Sequence, residues 1–318
     1  MSPLFSSDDK NKVGGQALIE GVMMRGTEKI AWAVRKPGGE TVIEAFPFVS
    51  ITKKKPALGI PVVRGVVGLF ESMKWGYRAL SRSADIAMEE AEAAPPSSEE
   101  ERSTSKPKKA SLKDQIYMGL TFVIAFAISI SLFMYAPMWI ANRVPYVKDT
   151  PMLFNLMAGA VRIVLLLLYM MMISLWSETR RLFEYHGAEH KAIHAYEDGK
   201  ALTIDNIEPY TTVHARCGTS FLVLVAVCGI LMSSVIDTLH IQYIGEYANL
   251  FHRFGLRLIF IPLLAGVSYE ALKLSAKYQK SAIVNFIIQP GLWVQKITTR
   301  KPDKSQIEVA IKALEAAV

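Results

Sequence analysis

Long runs of apolar residues dominate the chain between residues 116 and 272. Four blocks stand out, and they cover residues 116–141, 152–177, 219–236 and 256–272. The first and third blocks hold no charged residue, the second holds only Arg162, and the fourth holds Arg257 and Glu270 near its ends. Because a helix needs about 20 apolar residues to cross a bilayer, the pattern predicts three membrane-spanning helices and favours a fourth.

A different pattern precedes these blocks, in residues 13–50. Two short apolar runs, residues 30–35 and 41–46, flank a Lys-Pro-Gly-Gly sequence, which predicts a β-hairpin. The glycine-rich run before them, residues 13–26, allows tight turns and close backbone approach. We therefore expect a small β-rich unit over residues 1–56.

The segments between this unit and the first apolar block are more polar. Residues 57–88 mix apolar residues and glycines with Lys74, Arg78 and Arg82. They are too short and too charged to span a membrane, so they predict an interfacial amphipathic helix or a re-entrant segment. Residues 89–113 are runs of Glu, Ala, Pro, Ser and Lys that cannot bury a core, which predicts a disordered linker.

Together these patterns predict a mainly α protein. Its fold is a four-span transmembrane helical bundle with a small β-rich N-terminal cytoplasmic unit. The bundle covers residues 114–282 and includes a polar, histidine-bearing segment, residues 178–218, between the second and third spans. Residues 283–318 predict a C-terminal interfacial and helical tail. A Pro-Gly pair breaks its apolar run, and residues 307–317 form a terminal helix.

Composition and charge fit this prediction. The 318 residues are 51% hydrophobic and 20% charged, and the net charge is +7. Basic residues cluster before the first apolar block, after the second and after the fourth. By the positive-inside rule, these flanks, the histidine-bearing segment and both termini lie in the cytoplasm. The first 50 residues lack an apolar signal-peptide core, and the two cysteines do not predict a disulfide framework.

The candidate chemistry is concentrated in residues 185–197, which hold three of the six histidines. His186 and His190 are four apart, so they share one helix face and can bind one metal ion. Glu189 lies between them in the spacing of inverted zincins, where the glutamate acts as general base on the attacking water. His194 lies about 12 Å from His186 along a helix. The ligand pair is therefore His186 with His190 or His190 with His194, and Glu189 favours the first.

A metal site of this kind needs at least one more ligand. The cytoplasmic ends of three predicted spans meet at one level, which brings His214, Cys217 and Glu270 toward the histidine pair. His214 and Cys217 are three apart, so both can face one point if that turn is helical. His214 is the first choice for the third ligand and Cys217 the second. Glu270 could bind the metal, orient an imidazole, or pair with Lys273 or Lys277. The predicted ion is divalent, zinc above all.

Three other features carry weaker expectations. His240 and His252 fall in an outward loop and are expected on the surface. Arg162 is expected to snorkel or to pair within the bundle rather than to act on a substrate. The glycine-rich run at residues 13–26 predicts a hairpin packed on the bundle, or else a lid or substrate-gripping loop over the histidines.

Four strings carry a resemblance to a known family. They are GGQALIEGVMMRG at 14–26, YHGAEHK at 185–191, HARCGTSF at 214–221 and QPGLW at 289–293. With them the chain resembles the YqhQ-like bacterial membrane family, which is of unknown function and commonly labelled a predicted metal-dependent enzyme. The resemblance covers nearly the whole chain, apart from residues 89–113, and implies a multi-pass protein of the bacterial cytoplasmic membrane.

The function we expect is a membrane metal-dependent hydrolase that acts on a lipid, or on a peptide or protein near the membrane. His186, His190 and His214 would be metal ligands and Glu189 the general base. The alternative is a non-enzymatic accessory or scaffold protein for membrane-protein insertion, in contact with the translocon or the ribosome. A transporter is disfavoured because paired interrupted spans are missing. Membrane lipid suits the basic flanks better than nucleic acid, for which no motif is present.

Overall fold

The computed structural model describes residues 13–89, 112–278 and 281–318. Most of the predicted linker at residues 89–113 lies outside these ranges. The chain divides into two compact units. The first, which we call the sheet unit, draws on Met1–Ala91, Met170–Val225 and Ala265–Val318, and the second, the helical unit, draws on Glu92–Tyr169 and Ala226–Leu264.

The described residues are mainly helical, with one small sheet. The strands are β1 (Gly14–Leu18), β2 (Gly21–Arg25), β3 (Lys29–Arg35) and β4 (Thr41–Pro47). The helices are α1 (Ile51–Lys54), α2 (Val63–Glu89), α3 (Leu112–Ile130), α4 (Ala136–Arg143), α5 (Pro151–Ile173), α6 (Ser177–Glu197), α7 (Ile204–Ile207), α8 (Gly218–Tyr243), α9 (Leu250–Ile259), α10 (Ile261–Lys277), α11 (Ala282–Thr298) and α12 (Lys304–Ala317). A 3-10 turn, Pro56–Gly59, precedes α2, and a π-helical segment, Ser131–Tyr135, joins α3 to α4. The predicted mainly α class with an N-terminal β-rich part is confirmed.

The four strands form an antiparallel meander in the order β1-β2-β3-β4. The predicted hairpin is confirmed, since β3 and β4 pair from Arg35↔Thr41 to Lys29↔Pro47. A two-residue loop joins β1 to β2 and ends their ladder at Leu18↔Gly21. This leaves β1 and β4 as the two edges of the sheet.

The sheet buries a different apolar layer on each face, because side chains alternate along a strand. One face packs on α6 and α12, and its buried strand residues are Val22, Met24, Ala31 and Ala33. The other face packs on Ala79 and Ile86 of α2, and its buried strand residues are Leu18, Met23, Ile30, Trp32 and Val34. The sheet is thus the middle of three layers.

The predicted terminal helix is confirmed as α12, and it is a core element of the sheet unit. Asp303 caps its first turn in a capping box with Gln306, which satisfies backbone N–H groups that a helix start leaves unpaired. One face of α12 is buried, including Ile307, Ala310 and Leu314. It packs against β2, β3 and α6.

Three helices in the described part are long and apolar enough to cross a membrane. They are Gly119–Arg143, Pro151–Ile173 and Phe221–Tyr243. The predicted fourth span instead consists of two helices, Leu250–Ile259 and Ile261–Ser275, which meet at a bend of 54°. The described residues therefore hold three candidate spans, or four if the bent pair is one span.

The helix of the histidine motif is separate from the second apolar block, since α5 ends at Ile173 and α6 starts at Ser177. The Ser174 hydroxyl donates to the Met171 carbonyl at 2.7 Å, a local bond that competes with helix continuation. The expected break at the Pro-Gly pair is wrong: α11 runs through Pro290, although proline removes an N–H donor and crowds the preceding turn of a helix.

Helix α2 has 27 residues, Val63–Glu89, and covers most of the segment 57–88 predicted as an amphipathic helix. It begins against α10, where a Cβ on Gly65 would lie 2.7 Å from Cβ of Tyr269. The Arg64 guanidinium pairs with the Glu270 carboxylate at the same point, with Arg64 Nε 2.7 Å from Glu270 Oε1. The face of α2 that points away from the sheet exposes large apolar side chains, among them Phe70, Met73, Tyr77 and Met88.

A buried charged cluster lies in the helical unit. Asp237 accepts hydrogen bonds from Asn155 Nδ2 at 2.8 Å and from Arg253 Nε and Arg257 Nη2 at 3.0 Å. The expectation that His240 lies on the surface is wrong: it is buried and stacks on Tyr247, with ring centroids 4.1 Å apart. The pairing expected of Arg162 is confirmed, since its Nε donates to the Phe133 carbonyl at 2.8 Å.

Candidate metal centre

The histidine motif lies on α6, which packs against β1 and α12 within the sheet unit. His186 and His190 occupy successive turns of one helix face, and their ring centroids are 4.4 Å apart. The predicted helical spacing is confirmed, and the helix ends at Glu197, just before Asp198 and Gly199. Gly199 has a φ of 68°, a conformation that glycine adopts without strain.

Cys217 completes a compact group of donor atoms with these histidines. It comes from the turn before α8, and its Sγ lies 3.3 Å from Nε2 of His186. One donor atom each from His186, His190 and Cys217 fall within 4.8 Å of one another. The backbone N–H of Thr219 points at the sulfur from 3.4 Å, which favours a thiolate there.

Backbone carbonyls fix the orientation of both imidazoles. Nδ1 of His186 lies 2.8 Å from the Thr298 carbonyl, and Nδ1 of His190 lies 2.5 Å from the Thr212 carbonyl. A carbonyl can only accept, so each Nδ1 carries the proton and each Nε2 keeps its lone pair. Burial lowers the pKa of His190 well below its usual value, which also favours the neutral form that binds metal.

The donor set fits a divalent transition metal. Two imidazole nitrogens and a thiolate are ligands that zinc prefers, and two donors on one tetrahedral zinc ion are separated by about 3.5 Å. The separation of His186 Nε2 and Cys217 Sγ, 3.3 Å, is of that size. Three protein ligands leave one position for a substrate or water, which is the pattern of a catalytic site rather than a structural one.

Glu189 lies beside this group as a buried carboxylate. Among the described residues its Oε2 has no hydrogen-bond partner. A Cβ on Gly15 would lie 2.6 Å from its Oε1, so β1 passes directly over this carboxylate. Burial raises the pKa of Glu189 to about 8; His186 lowers it and Cys217 adds to the rise. A carboxyl group in such a position can exchange protons near neutral pH.

His214 lies next to the group but is engaged elsewhere. Its Nδ1 accepts from the Arg216 backbone N–H at 3.3 Å, which puts its proton on Nε2, 3.5 Å from the Glu197 carboxylate. Neither nitrogen then offers a lone pair to the cluster. Its backbone N–H and carbonyl both bond the buried Gln295 side chain at 2.8 Å, and burial lowers the His214 pKa to about 4.

Two other predicted candidates lie apart from the donor group. Glu270 pairs with Arg64 and accepts from the Val62 backbone N–H at 3.3 Å. It does not belong to the donor group found among the described residues. His194 donates through Nε2 to the Val213 carbonyl at 2.9 Å, and its ring stacks on Tyr210. The structure thus groups His186 and His190 with Cys217, the second choice from the sequence.

A cavity of about 480 Å³ opens onto the cluster. Its walls are residues 13–17 of the N-terminal strand region, the face of α6 that carries His186, Glu189 and His190, and the turn that leads into α8. The glycine-rich run singled out in the sequence therefore borders the histidines. Sequence reasoning missed Thr212, Thr298 and Thr219, because their contributions are backbone groups that no residue pattern reveals.

The fold and the cluster define a class: a helical protein with candidate membrane spans, a small sheet and a compact His-His-Cys group beside a buried glutamate. Residues 60–318 match the family described as "Protein of unknown function (DUF1385)", and the chain belongs to this family. It is similar to the "Uncharacterized protein YqhQ" of Bacillus subtilis (strain 168), with 28% identity over 302 residues that cover 94% of this chain and 90% of the relative. This confirms the YqhQ-like resemblance. No solved structure matches the chain.

Proposed function

We propose that the protein is a membrane metal-dependent hydrolase that acts on a membrane-associated substrate at the cytoplasmic face. The observation that carries the proposal is the grouping of the donor atoms of His186, His190 and Cys217 within 4.8 Å of one another, beside the Glu189 carboxylate, whose Oε2 has no hydrogen-bond partner among the described residues. The cytoplasmic placement rests on the basic flanks of the apolar blocks.

In this proposal His186, His190 and Cys217 hold the ion. When bound, a zinc or other divalent ion would act as a Lewis acid on a substrate carbonyl or phosphoryl oxygen. Glu189 takes a proton from the attacking water and returns it to the leaving group. The carbonyls of Thr298 and Thr212 hold the imidazoles in place, and the cavity wall at Gly15 shields the carboxylate from bulk water.

The first test is metal content. Detergent-purified wild type, incubated with zinc or manganese and then dialysed, should hold about one ion per chain by mass spectrometry. The double variant His186→Ala, His190→Ala should hold none, while His252→Ala, which removes an exposed histidine of the helical unit, should match wild type. Absence of an ion from wild type would overturn the proposal.

The exposed apolar face of α2 favours a second proposal, the accessory or scaffold role. Phe70, Met73 and Tyr77 are 66%, 61% and 76% exposed, and such a face suits contact with a bilayer or a membrane-protein partner. Arg78 and Arg82 are poor probes of this role. Arg78 lies over the Phe46 ring and Arg82 bonds Glu44 at 2.9 Å, so reversing their charge would also disturb the sheet.

Lys74 is the sharper probe, because it is exposed on the same helix. The scaffold role predicts that Lys74→Glu and Tyr77→Ala lower recovery of translocon or ribosome components in pull-downs, while His186→Ala does not. The hydrolase proposal predicts that His186→Ala lowers turnover, whereas Lys74→Glu and Tyr77→Ala do not.

A further inference from the structure

Strand β1 lies at one edge of the sheet. The side of β1 that does not pair with β2 lies next to the candidate metal centre. The strand pairs with β2 through the register from Gly14↔Arg25 to Leu18↔Gly21, and among the described residues no further strand follows it in the sheet order. Within the described ranges, no other backbone hydrogen bond reaches β1. An edge of this kind presents a row of unpaired N–H and C=O groups.

The cavity is bordered by this edge rather than by a face of β1. Residues 13, 14, 15, 16 and 17 all line it, although successive side chains point to opposite faces of a sheet. Gly15 faces Glu189, whereas the Gln16 side chain lies against Gly76 of α2. A wall made of five consecutive residues includes the backbone of β1.

The register identifies the groups on that edge. In an antiparallel pair, alternate residues bond the partner strand and the others direct N–H and C=O outward. A two-residue loop closes on a hydrogen-bonded pair, here Leu18↔Gly21. The residues that direct their backbone groups into the cavity are therefore Gly15 and Ala17. Gly15 is exposed and Ala17 is half-buried.

We propose that the substrate is an extended polypeptide segment that pairs with the free edge of β1. The proposal rests on the hydrolase function above and names its substrate class. A strand added there lies about 4.8 Å from β1, within the cavity and beside Glu189. Main-chain hydrogen bonds give such binding its affinity and make it tolerant of sequence.

The chemistry of the wall favours a peptide over a lipid. Val13, Gly14, Gly15, Gln16 and Ala17 carry no charge that would hold a phosphate headgroup. Arg216, the cationic side chain on the opposite wall, pairs with Glu197. An alternating row of backbone donors and acceptors matches another polypeptide backbone, whereas a lipid ester offers acceptors only.

Hydrogen exchange of the full-length, zinc-loaded protein in detergent tests the pairing. The probe is a pool of blocked hexapeptides randomised at every position, at saturating total concentration. The matched control is the same pool with every residue N-methylated, which removes the backbone donors on both edges of the peptide without changing side chains. We expect the first pool to slow exchange in residues 14–18 by about tenfold or more, and the second to have no effect. Strand β4, the other edge, is the internal control and should not change.

The outcomes separate this proposal from the proposed function. Equal protection by both pools, protection of β4 as well as β1, or no protection of β1 would overturn the peptide assignment. Metal content and turnover of p-nitrophenyl acetate are measured on the same sample. If the ion is present and the ester is cleaved while β1 is unaffected, the hydrolase stands and its substrate is not a peptide. Cleavage of a phospholipid instead would point to lipid.

Discussion

The sulfur of Cys217 lies 3.3 Å from Nε2 of His186, although 31 positions separate the two residues in the chain. This separation suits two ligands of one metal ion. It also suits a thiol that gives its proton to an imidazole and then acts as a nucleophile. The two chemistries differ in what happens to the thiol when an ion is added.

We expect zinc to protect Cys217 from alkylation. In a Cys228→Ser background, iodoacetamide should label Cys217 at least about tenfold faster after chelation than in the zinc-loaded protein, because a coordinated thiolate is a poor nucleophile. Cobalt should give a sulfur-to-metal charge-transfer band that is lost in Cys217→Ala and kept in His214→Ala. A band that depends on His214 and not on Cys217 would restore the order of ligands expected from the sequence.

Replacing Glu189 with glutamine should separate catalysis from metal binding. Glu189→Gln keeps the size of the side chain but removes the proton acceptor, so turnover should fall by roughly 10²–10⁴-fold with metal content unchanged. The measurements are ester or peptide hydrolysis and metal analysis on one preparation. Unchanged turnover would exclude Glu189 as the general base.

A methyl group on Gly15 should destabilise the sheet unit. Its Cβ would lie 2.6 Å from Glu189 Oε1 and 2.8 Å from the Met23 carbonyl, so Gly15→Ala must displace the strand, at a cost of about 1–3 kcal/mol. Gly14→Ala is the matched control, because nothing lies within 4 Å of its Cβ position, and it should change stability by less than about 0.5 kcal/mol. Thermal unfolding in detergent compares them, and equal midpoints would contradict the close contact.

Neutralising Asp237 should be costly in the helical unit. Asp237→Asn leaves the buried guanidinium groups of Arg253 and Arg257 without their counter-ion, which destabilises by about 3–5 kcal/mol when a buried pair is broken. Asp149→Asn, an exposed carboxylate of the same unit, is the control. Thermal unfolding and detergent-extracted yield should fall for the first variant alone; similar values for both would mean that the cluster contributes little.

The sequence predicted the parts of the site that depend on local periodicity. The spacing of His186, Glu189 and His190 fixes a helix face, and Asp198-Gly199 marks the end of that helix. The hairpin β3–β4 and the helix α12 follow from alternation and apolar spacing in the same way. These features need only residues close together in the chain.

The order of preference between His214 and Cys217 could not be predicted, because it depends on contacts between distant segments. Cys217 rather than His214 joins the histidines since Gln295, on α11, holds the His214 backbone from both sides. Glu270 does not join the group either, since its carboxylate pairs with Arg64. The stop of α5 at Ile173 was missed because apolar residues continue beyond it, while a serine side chain competes for a helix carbonyl.

The position of α12 in the sheet unit has a consequence for biosynthesis. One apolar core contains residues from the strands at 14–47, from the histidine helix at 177–197 and from α12 at 304–317. These three segments are far apart in the chain, so they are synthesised at different times. The candidate spans emerge from the ribosome after the first of these segments and before the last. The candidate spans can therefore insert while the sheet unit is still incomplete, and the candidate metal centre can assemble fully only after residue 317 has been synthesised.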